Sequence, residues 1–451
     1  MKTFDMDAFS CVVQLFPGLK ENKKREIVRL VYEIAKRDNC SPHAVLGGLE
    51  SAKFPQLKAA LLKKRYPQSY GSVSPDSFYL PRLESGQAAV YNPPSGGDFF
   101  RPEDFYPERV YIENGAENSA LAKRAAALFP ESEVLRIEKT KDFLKHTGFT
   151  QNGYHNRHKH LFLFNEKYDY IKSCPCTKDA VCCGYNVLNL GFGCPFDCEY
   201  CFLQEYQNFP AFALPCNADD FLDRIEPEKM RGGLFDEIRI GSGEFTDSLV
   251  FDHITGWSEL ITERFRKKKG VTFEFKTKSV NIGSFLKMEP SENIVIAWSV
   301  NPQPACEHFA ASLPERLAAA GELAGKGWRV AFHFDPIILY DGWENGYRAV
   351  TDEIFARVPA ERIAWLSLGT LRFRPPLKKV IEQRFPGNTI LDAEMVLGFD
   401  GKLRYPEPAR VRAYRALRGF IADAQKRQNA LRGPRVYLCM ESAEVWKLVG
   451  F

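Results

Sequence analysis

Residues 188–206 read LNLGFGCPFDCEYCFLQEY, and both the fold and the chemistry of the chain turn on this stretch. It opens in an apolar run, Val187–Leu190, of the length and character of a buried strand. Cys194, Cys198 and Cys201 follow directly, at C-x3-C-x2-C spacing. The loop after a strand of a parallel α/β fold is where active sites sit. Three thiolates hold three irons of a cubane, so the expected occupant is a [4Fe–4S] cluster whose remaining iron has no protein ligand. Runs with a fourth cluster cysteine are spaced differently. Zinc, the competing occupant, usually takes its ligands as two separated pairs.

Outward from the loop, strands alternate with helices. Strands are predicted at Val187–Leu190, Glu237–Ile240, Thr272–Lys276, Ile294–Val300, Arg329–Phe334 and Ile363–Leu368. Helices are predicted near Ala218–Ile225, Ile254–Lys267, Val280–Lys287, Pro314–Ala324, Trp343–Arg357 and Leu377–Arg384, the fourth with capping-box spacing at Ser312 and Glu315. The pattern implies an α/β fold, a partial (β/α)6 barrel of the TIM type over 186–390. Upstream, 109–185 carries a strand at Val110–Ile112, a helix at Ala120–Phe129 and a strand at Val134–Ile137. Residues 68–108, with YNPPSGGDFFRPEDFYPE, hold no period and read as a linker or wrapping arm. Residues 1–67 read as a small helical module, and 391–451 as a C-terminal α/β extension.

The balance of 61 Lys and Arg against 57 Asp and Glu permits a polyanionic partner without arguing for one. One helix of the first module is basic, through Lys20, Lys23, Lys24, Arg25, Arg29, Lys36 and Arg37, as a solvated face or a phosphate-contacting one would be. The start, MKTFDMDAFS, lacks a secretory h-region, and no apolar run is long enough to cross a bilayer. A cytoplasmic protein with no membrane partner is expected. Of 12 cysteines, Cys174, Cys176, Cys182 and Cys183 crowd the segment before the loop, as a second metal site, a hydrogen donor or a plain loop of small residues. Cys11, Cys40, Cys216, Cys306 and Cys439 are scattered and read as small buried hydrophobes. The run His155–His160 reads as a solvated or phosphate-facing edge.

The cysteine loop, with an aromatic residue before its last cysteine, resembles the radical S-adenosylmethionine superfamily. In that superfamily the open iron chelates S-adenosyl-L-methionine, and one electron cleaves the cofactor to methionine and a 5′-deoxyadenosyl radical that takes hydrogen from the substrate. Further stretches resemble the spore photoproduct lyase family within it: VYIENGAENSALAKR, GCPFDCEYCFLQ, FKTKSVNIGSFL, WSVNP, DPIILYDGWENGYR and RFRPPLKKVIEQRFP, in order from about residue 109 to 390. DGKLRY and VYLCMESAEVW are similar to a broader photolyase-like branch. The resemblance implies Cys194, Cys198 and Cys201 as cluster ligands and Tyr200 beside the adenine. It implies Glu244, within GSGEFTDS, at the cofactor's amino group, and Thr246, Lys278 and Ser299 at its carboxylate or ribose.

It also implies a DNA lesion, thymine-derived, as substrate, and a flavodoxin or ferredoxin-type reductase as electron donor. Lys378, Lys379, Arg384, Lys402 and Arg404 would then contact phosphates. Two positions depart from the family. Its hydrogen-donating cysteine aligns with Glu244, with no cysteine across Ile238–His253, and its tyrosine after the last cluster cysteine is Phe202 here. A radical enzyme for a small molecule or peptide and a non-catalytic iron–sulfur or zinc protein are the other readings that the sequence leaves open, as it does the hydrogen donor and the oligomeric state.

Overall fold

In a computed structural model of the chain, the described residues are 4–66, 79–81, 104–147, 156–167, 170–176, 179–206, 211–302, 307–385, 388–398, 400–430 and 432–451. Most of the 68–108 segment, His155 and Cys306 lie outside them.

Two parallel arrays carry the fold. The larger sheet runs in the order Arg435–Leu438, Ile363–Thr370, Arg329–Ile337, Ile294–Ser299, Val271–Thr277, Ile238–Ser242, Tyr185–Leu188 and Ile171–Ser173. All are parallel except the last, which pairs antiparallel with Tyr185–Leu188. Its central strands are buried along their whole length, as strands covered on both faces must be. Ile294, Ile296, Trp298, Phe332 and Leu366 pack with the helices in the main core. Their alternates, Val295, Ala297, Ala331 and Trp365, pack with Tyr437 of the last strand and Cys183 before the first. Residues from both ends of the sheet share one cluster because the sheet is curled and this is its concave face. The seam is tied by a hydrogen bond from Val181 N to Glu441 O (2.9 Å) and a bridge between Ala180 and Ser442.

The expected partial barrel is present, with a seventh parallel strand, Arg435–Leu438, inside the stretch read as an extension. Four residues beginning with a charged one carry too little period to announce a strand. The first barrel strand is Tyr185–Leu188, so Asn189 and Leu190 already belong to the loop. The helix expected at Ile254–Lys267 is broken by Gly256, whose φ of 65° is left-handed, into Asp252–Thr255 and Trp257–Phe265. That expected at Val280–Lys287 is confined to Gly283–Lys287.

The smaller sheet orders Glu133–Ile137, Arg109–Glu113, His160–Phe164 and Phe212–Pro215, all parallel. Its last two strands are short continuous apolar runs, in which strand and helix periods cannot be told apart. His160 begins a strand and Arg157 is fully buried, while Asn156 and Lys159 are exposed, so the described part of the histidine run is only partly a solvated edge. The N-terminal helices, Phe4–Leu15, Glu21–Asp38, Pro42–Leu46 and Phe54–Arg65, enclose a core of their own around Val12, Ile27, Val31, Ile34, Leu57 and Leu61. Among the described residues, no helix is long and apolar enough to cross a membrane.

A polar network lies across the concave face. Glu274 accepts from Arg239 Nη2 (2.9 Å) and Trp365 Nε1 (3.1 Å), and His333 Nε2 lies 2.5 Å from its Oε1. Arg239 also reaches the Tyr437 hydroxyl (3.3 Å). Burial pushes the Glu274 carboxyl up, but His333 and Arg239 outweigh it and hold the group down at about 2. The folded value lies below the unfolded one, near 4.3, so this stabilisation is complete above that pH and is lost as pH falls towards 2. Glu274→Ala leaves Arg239 buried without its carboxylate, and equilibrium urea unfolding should show a loss of about 3–5 kcal/mol at neutral pH. The deficit should shrink as native and variant are compared at pH values descending below about 4.

Candidate active site

The cysteine loop leaves the first barrel strand and is held by backbone on both sides. Gly193 N donates to Phe245 O (2.9 Å), and Asp197–Cys198 pairs antiparallel with Glu307–His308. Phe192 bridges to Ala213 of the smaller sheet, so the loop spans the junction of the two arrays. The acidic residues between the cysteines are buried and paired. Asp197 meets Arg157 at 2.5 Å and Arg384 at 3.0 Å, and Glu199 lies 2.7 Å from His308. Gln204 Nε2 donates to Cys198 O (2.9 Å) and closes the loop's last turn.

Burial raises all three loop thiols, Cys198 to about 12 even though the Lys278 ammonium opposes the shift. Backbone N–H groups of Phe196 and Leu203 donate to the sulfurs of Cys194 and Cys201. Buried sulfurs that receive N–H donors suit a bound cationic centre, which replaces the protons and supplies the missing charge. Among the described residues, no three His, Cys, Asp or Glu side chains stand as ligands of one ion. Ligands of a cubane need not, because each sulfur meets a different iron. The loop therefore fits a cluster held by Cys194, Cys198 and Cys201.

The other residues singled out in the sequence stand at successive strand ends, in two groups. Tyr200 is buried and its hydroxyl donates to Glu307. Lys278 Nζ lies 5.7 Å from the Tyr200 ring centre, and the neighbouring Cys198 thiol and Glu307 carboxylate favour its charged form against burial. Ser299 is buried, and its carbonyl accepts from Arg316 Nη1 (2.7 Å). On the other side Glu244 lies 3.3 Å from the Lys172 ammonium, which also sits 4.3 Å above the Phe245 ring. Thr246 is buried and its hydroxyl has no hydrogen-bond partner among the described residues, so this side of the site is unsatisfied by protein alone.

Several polar residues escaped the sequence reading. Glu307 accepts from Arg316 Nη2 (2.5 Å) and Asn301 Nδ2 (3.2 Å) as well as from Tyr200. Asp247 accepts from the backbone N–H of Leu249, Val250 and Lys278 and from the Thr277 hydroxyl, and so fixes Lys278 relative to the Glu244–Thr246 turn. Asp247 had a signal, since aspartate after a strand favours side-chain-to-backbone turns. Glu307 had none, because its nearby partners Asn301 and Arg316 follow no recognisable spacing and Tyr200 is distant in sequence.

Four of the five expected phosphate contacts are paired with acidic side chains. Lys378 donates to Glu33 (2.8 Å) in a buried group, and Arg384 is committed to Asp197 and Gln204. Lys402 and Arg404 pair with Asp400 at 3.9 and 2.6 Å; Lys379 is exposed. Of the upstream thiols, Cys176 and Cys182 are 3.9 Å apart; Cys439, expected to be buried, is half-buried and accepts from Arg372 at 3.7 Å beside the Arg372–Asp335 pair. Cys11 is a buried hydrophobe as expected, while Cys40 and Cys216 are half-buried.

The family model of spore photoproduct lyase matches residues 105–396. The spore photoproduct lyase of a Geobacillus species is 29% identical over 212 residues, 46% of this chain and 61% of that protein. That of Bacillus subtilis is 26% identical over 209 residues, 45% of this chain and 61% of the relative. The chain thus spans 61% of the length of these curated relatives. A solved spore photoproduct lyase mutant with bound AdoMet and dinucleoside spore photoproduct superposes with a TM-score of 0.60 at 22% identity, over 74% of this chain and 99% of that one. Another, complexed with dinucleoside spore photoproduct, gives 0.59 at 22% identity over the same shares. At that identity the likeness establishes the fold, the curled α/β half-barrel.

Glu307 is the acceptor that orders this side of the site, so Glu307→Ala strands Arg316 and the Tyr200 hydroxyl in the interior. Chemical unfolding should show a loss of about 3–5 kcal/mol, and limited proteolysis of the folded variant should cut within 194–206 faster than in the native chain.

Proposed function

The chain belongs to the spore photoproduct lyase family, and from that premise we propose that it is a radical enzyme, a carbon–carbon lyase, that cleaves S-adenosyl-L-methionine reductively at a [4Fe–4S] cluster held by Cys194, Cys198 and Cys201. The observation that carries the reading is the loop itself: three thiols raised by burial, two of them with N–H donors on their sulfurs, and a half-buried lysine beside them. When bound, the cluster supplies the electron that breaks the sulfonium bond, and the cofactor supplies the hydrogen-abstracting radical. The chain's part is to bind, orient and keep water out. Lys278, half-buried and charged, pairs with the cofactor carboxylate; Glu244, already facing an ammonium on Lys172, takes its amino group. The unsatisfied Thr246 hydroxyl and the Ser299 strand end face the carboxylate or ribose, and Tyr200 packs beside the adenine.

The substrate in this reading is a thymine-derived DNA lesion, and a flavodoxin or ferredoxin-type protein of the cytoplasm delivers the electron. The barrel of 186–390 does the chemistry, flanked by the 109–185 and 391–451 parts and preceded by the 1–67 module and its 68–108 connection. A small molecule or peptide is the second reading, favoured by one observation: Lys378 and Arg384 are spent on internal carboxylates and are not free for phosphates.

Anaerobic reconstitution with iron and sulfide, reduction, and addition of S-adenosylmethionine should yield 5′-deoxyadenosine and methionine, with none above background from Cys198→Ala. A native protein that forms a cluster but no 5′-deoxyadenosine would refute the enzyme reading. Lys278→Met should raise the S-adenosylmethionine dissociation constant roughly tenfold or more, the scale of one lost charge-assisted hydrogen bond. Binding to a lesion-bearing oligonucleotide that weakens steeply with salt would support the DNA substrate, and salt-independent or absent binding the second reading.

A further inference from the structure

The N-terminal module lies wholly outside the matched residues 105–396, yet its polar contacts lead into the cysteine loop. Its docking face is a buried group of charges. Glu33 accepts from Arg65 Nε (2.7 Å) within the module and from Lys378 Nζ (2.8 Å) across the interface. Arg65 donates onward to the Asp392 carbonyl, and Lys36 lies 3.5 Å from the Asp392 carboxylate. Glu33, Arg65 and Asp392 are each less than a twentieth exposed, so this is interior structure rather than a loose surface contact.

From there a short chain of bonds reaches the thiols. Lys36 Nζ donates to the Asn388 carbonyl, and the Asn388 side-chain amide donates to the Glu199 carboxylate. Glu199 stands between Cys198 and Tyr200. Its second oxygen is held by His308, whose ring stacks on Phe385 at 5.5 Å. The same segment grips the loop again through Arg384, which holds Asp197 and Gln204. Arg384 and Asn388 thus touch the cysteine loop, while Asn388 and Asp392 meet Lys36 and Arg65 of the module.

We propose that the N-terminal module is a working part of the cluster site, with Lys36 as a positioning residue that acts through Asn388 and Glu199 on the loop carrying Cys198 and Cys201. The inference rests on the reading of those cysteines as cluster ligands. A module that merely stabilised the fold would need its apolar core and one ion pair; it would not need a donor aimed at the carbonyl of the residue that holds Glu199. Because Glu199 sits beside a ligand, a small displacement there reaches the cluster and the cofactor on it, and small misplacements are costly in rate.

The test uses the full-length chain reconstituted anaerobically, as native, Lys36→Met, Lys36→Arg and Asn388→Ala. Iron per chain, the electron paramagnetic resonance line shape of the reduced protein with and without S-adenosylmethionine, and KM and kcat for 5′-deoxyadenosine formation are read for each. Lys36→Met is expected to take up as much iron as the native chain but to give an altered line shape with S-adenosylmethionine and a KM raised roughly threefold or more. Lys36→Arg should restore both, and Asn388→Ala, which leaves the module untouched, should reproduce the change. Line shapes and KM values equal to the native ones in a folded Lys36→Met, or in Asn388→Ala should Lys36→Met not fold, would overturn the proposal while leaving the cluster reading intact. A native chain that takes up no iron would overturn both.

Discussion

Asp197 is the charge around which the molecule is arranged. It lies between Cys194 and Cys198, is 2% exposed, and meets Arg157 from the N-terminal α/β part and Arg384 at the end of the helix that follows the strand Ile363–Thr370. A carboxylate buried this deeply is tolerable only when paired and hydrogen-bonded. Satisfying it therefore brings three distant segments together at the loop. Glu199 and Glu307 repeat the device with His308, Asn388 and Arg316. The loop is thereby fixed by ion pairs as well as by the packing of Phe196 and Tyr200 into the main core.

This arrangement explains which parts of the architecture were legible in the sequence. The strands Val271–Thr277, Ile294–Ser299, Arg329–Ile337 and Ile363–Thr370 run six to nine residues, so their length and composition declare them. His160–Phe164 and Phe212–Pro215 are short unbroken apolar runs, and Arg435–Leu438 has only three apolar residues. The cysteine spacing identified the loop because all three thiols come from one local segment. Tyr200, Glu244, Thr246, Lys278 and Ser299 were reached only through resemblance, since they follow or end four different strands. Glu307, Asn301 and Arg316 act through one another, and no local pattern records such a set. The basic residues Lys378 and Arg384 misled for the same reason: composition reports a charge but not the buried acid that claims it.

The concave face adds a second constraint. Arg239, Glu274, His333 and Tyr437 join strands across the curled sheet in one network, so the barrel's shape is set by polar pairs as well as by the outer helices. Above it, Asp247 ties the turn of Glu244 and Thr246 to the backbone of Lys278. The site thus has a rigid floor and rigid rims, which suits an enzyme whose task is to hold a reactive cofactor still.

The central claim is that the loop leaves one iron of its cluster open for S-adenosylmethionine. Mössbauer spectroscopy of the native chain, reconstituted with isotopically labelled iron and recorded before and after S-adenosylmethionine, tests it directly. The account predicts that a single iron site of the cluster changes its isomer shift on addition while the others stay as they were. A spectrum unchanged by S-adenosylmethionine, or a chain that retains no clustered iron, would contradict it.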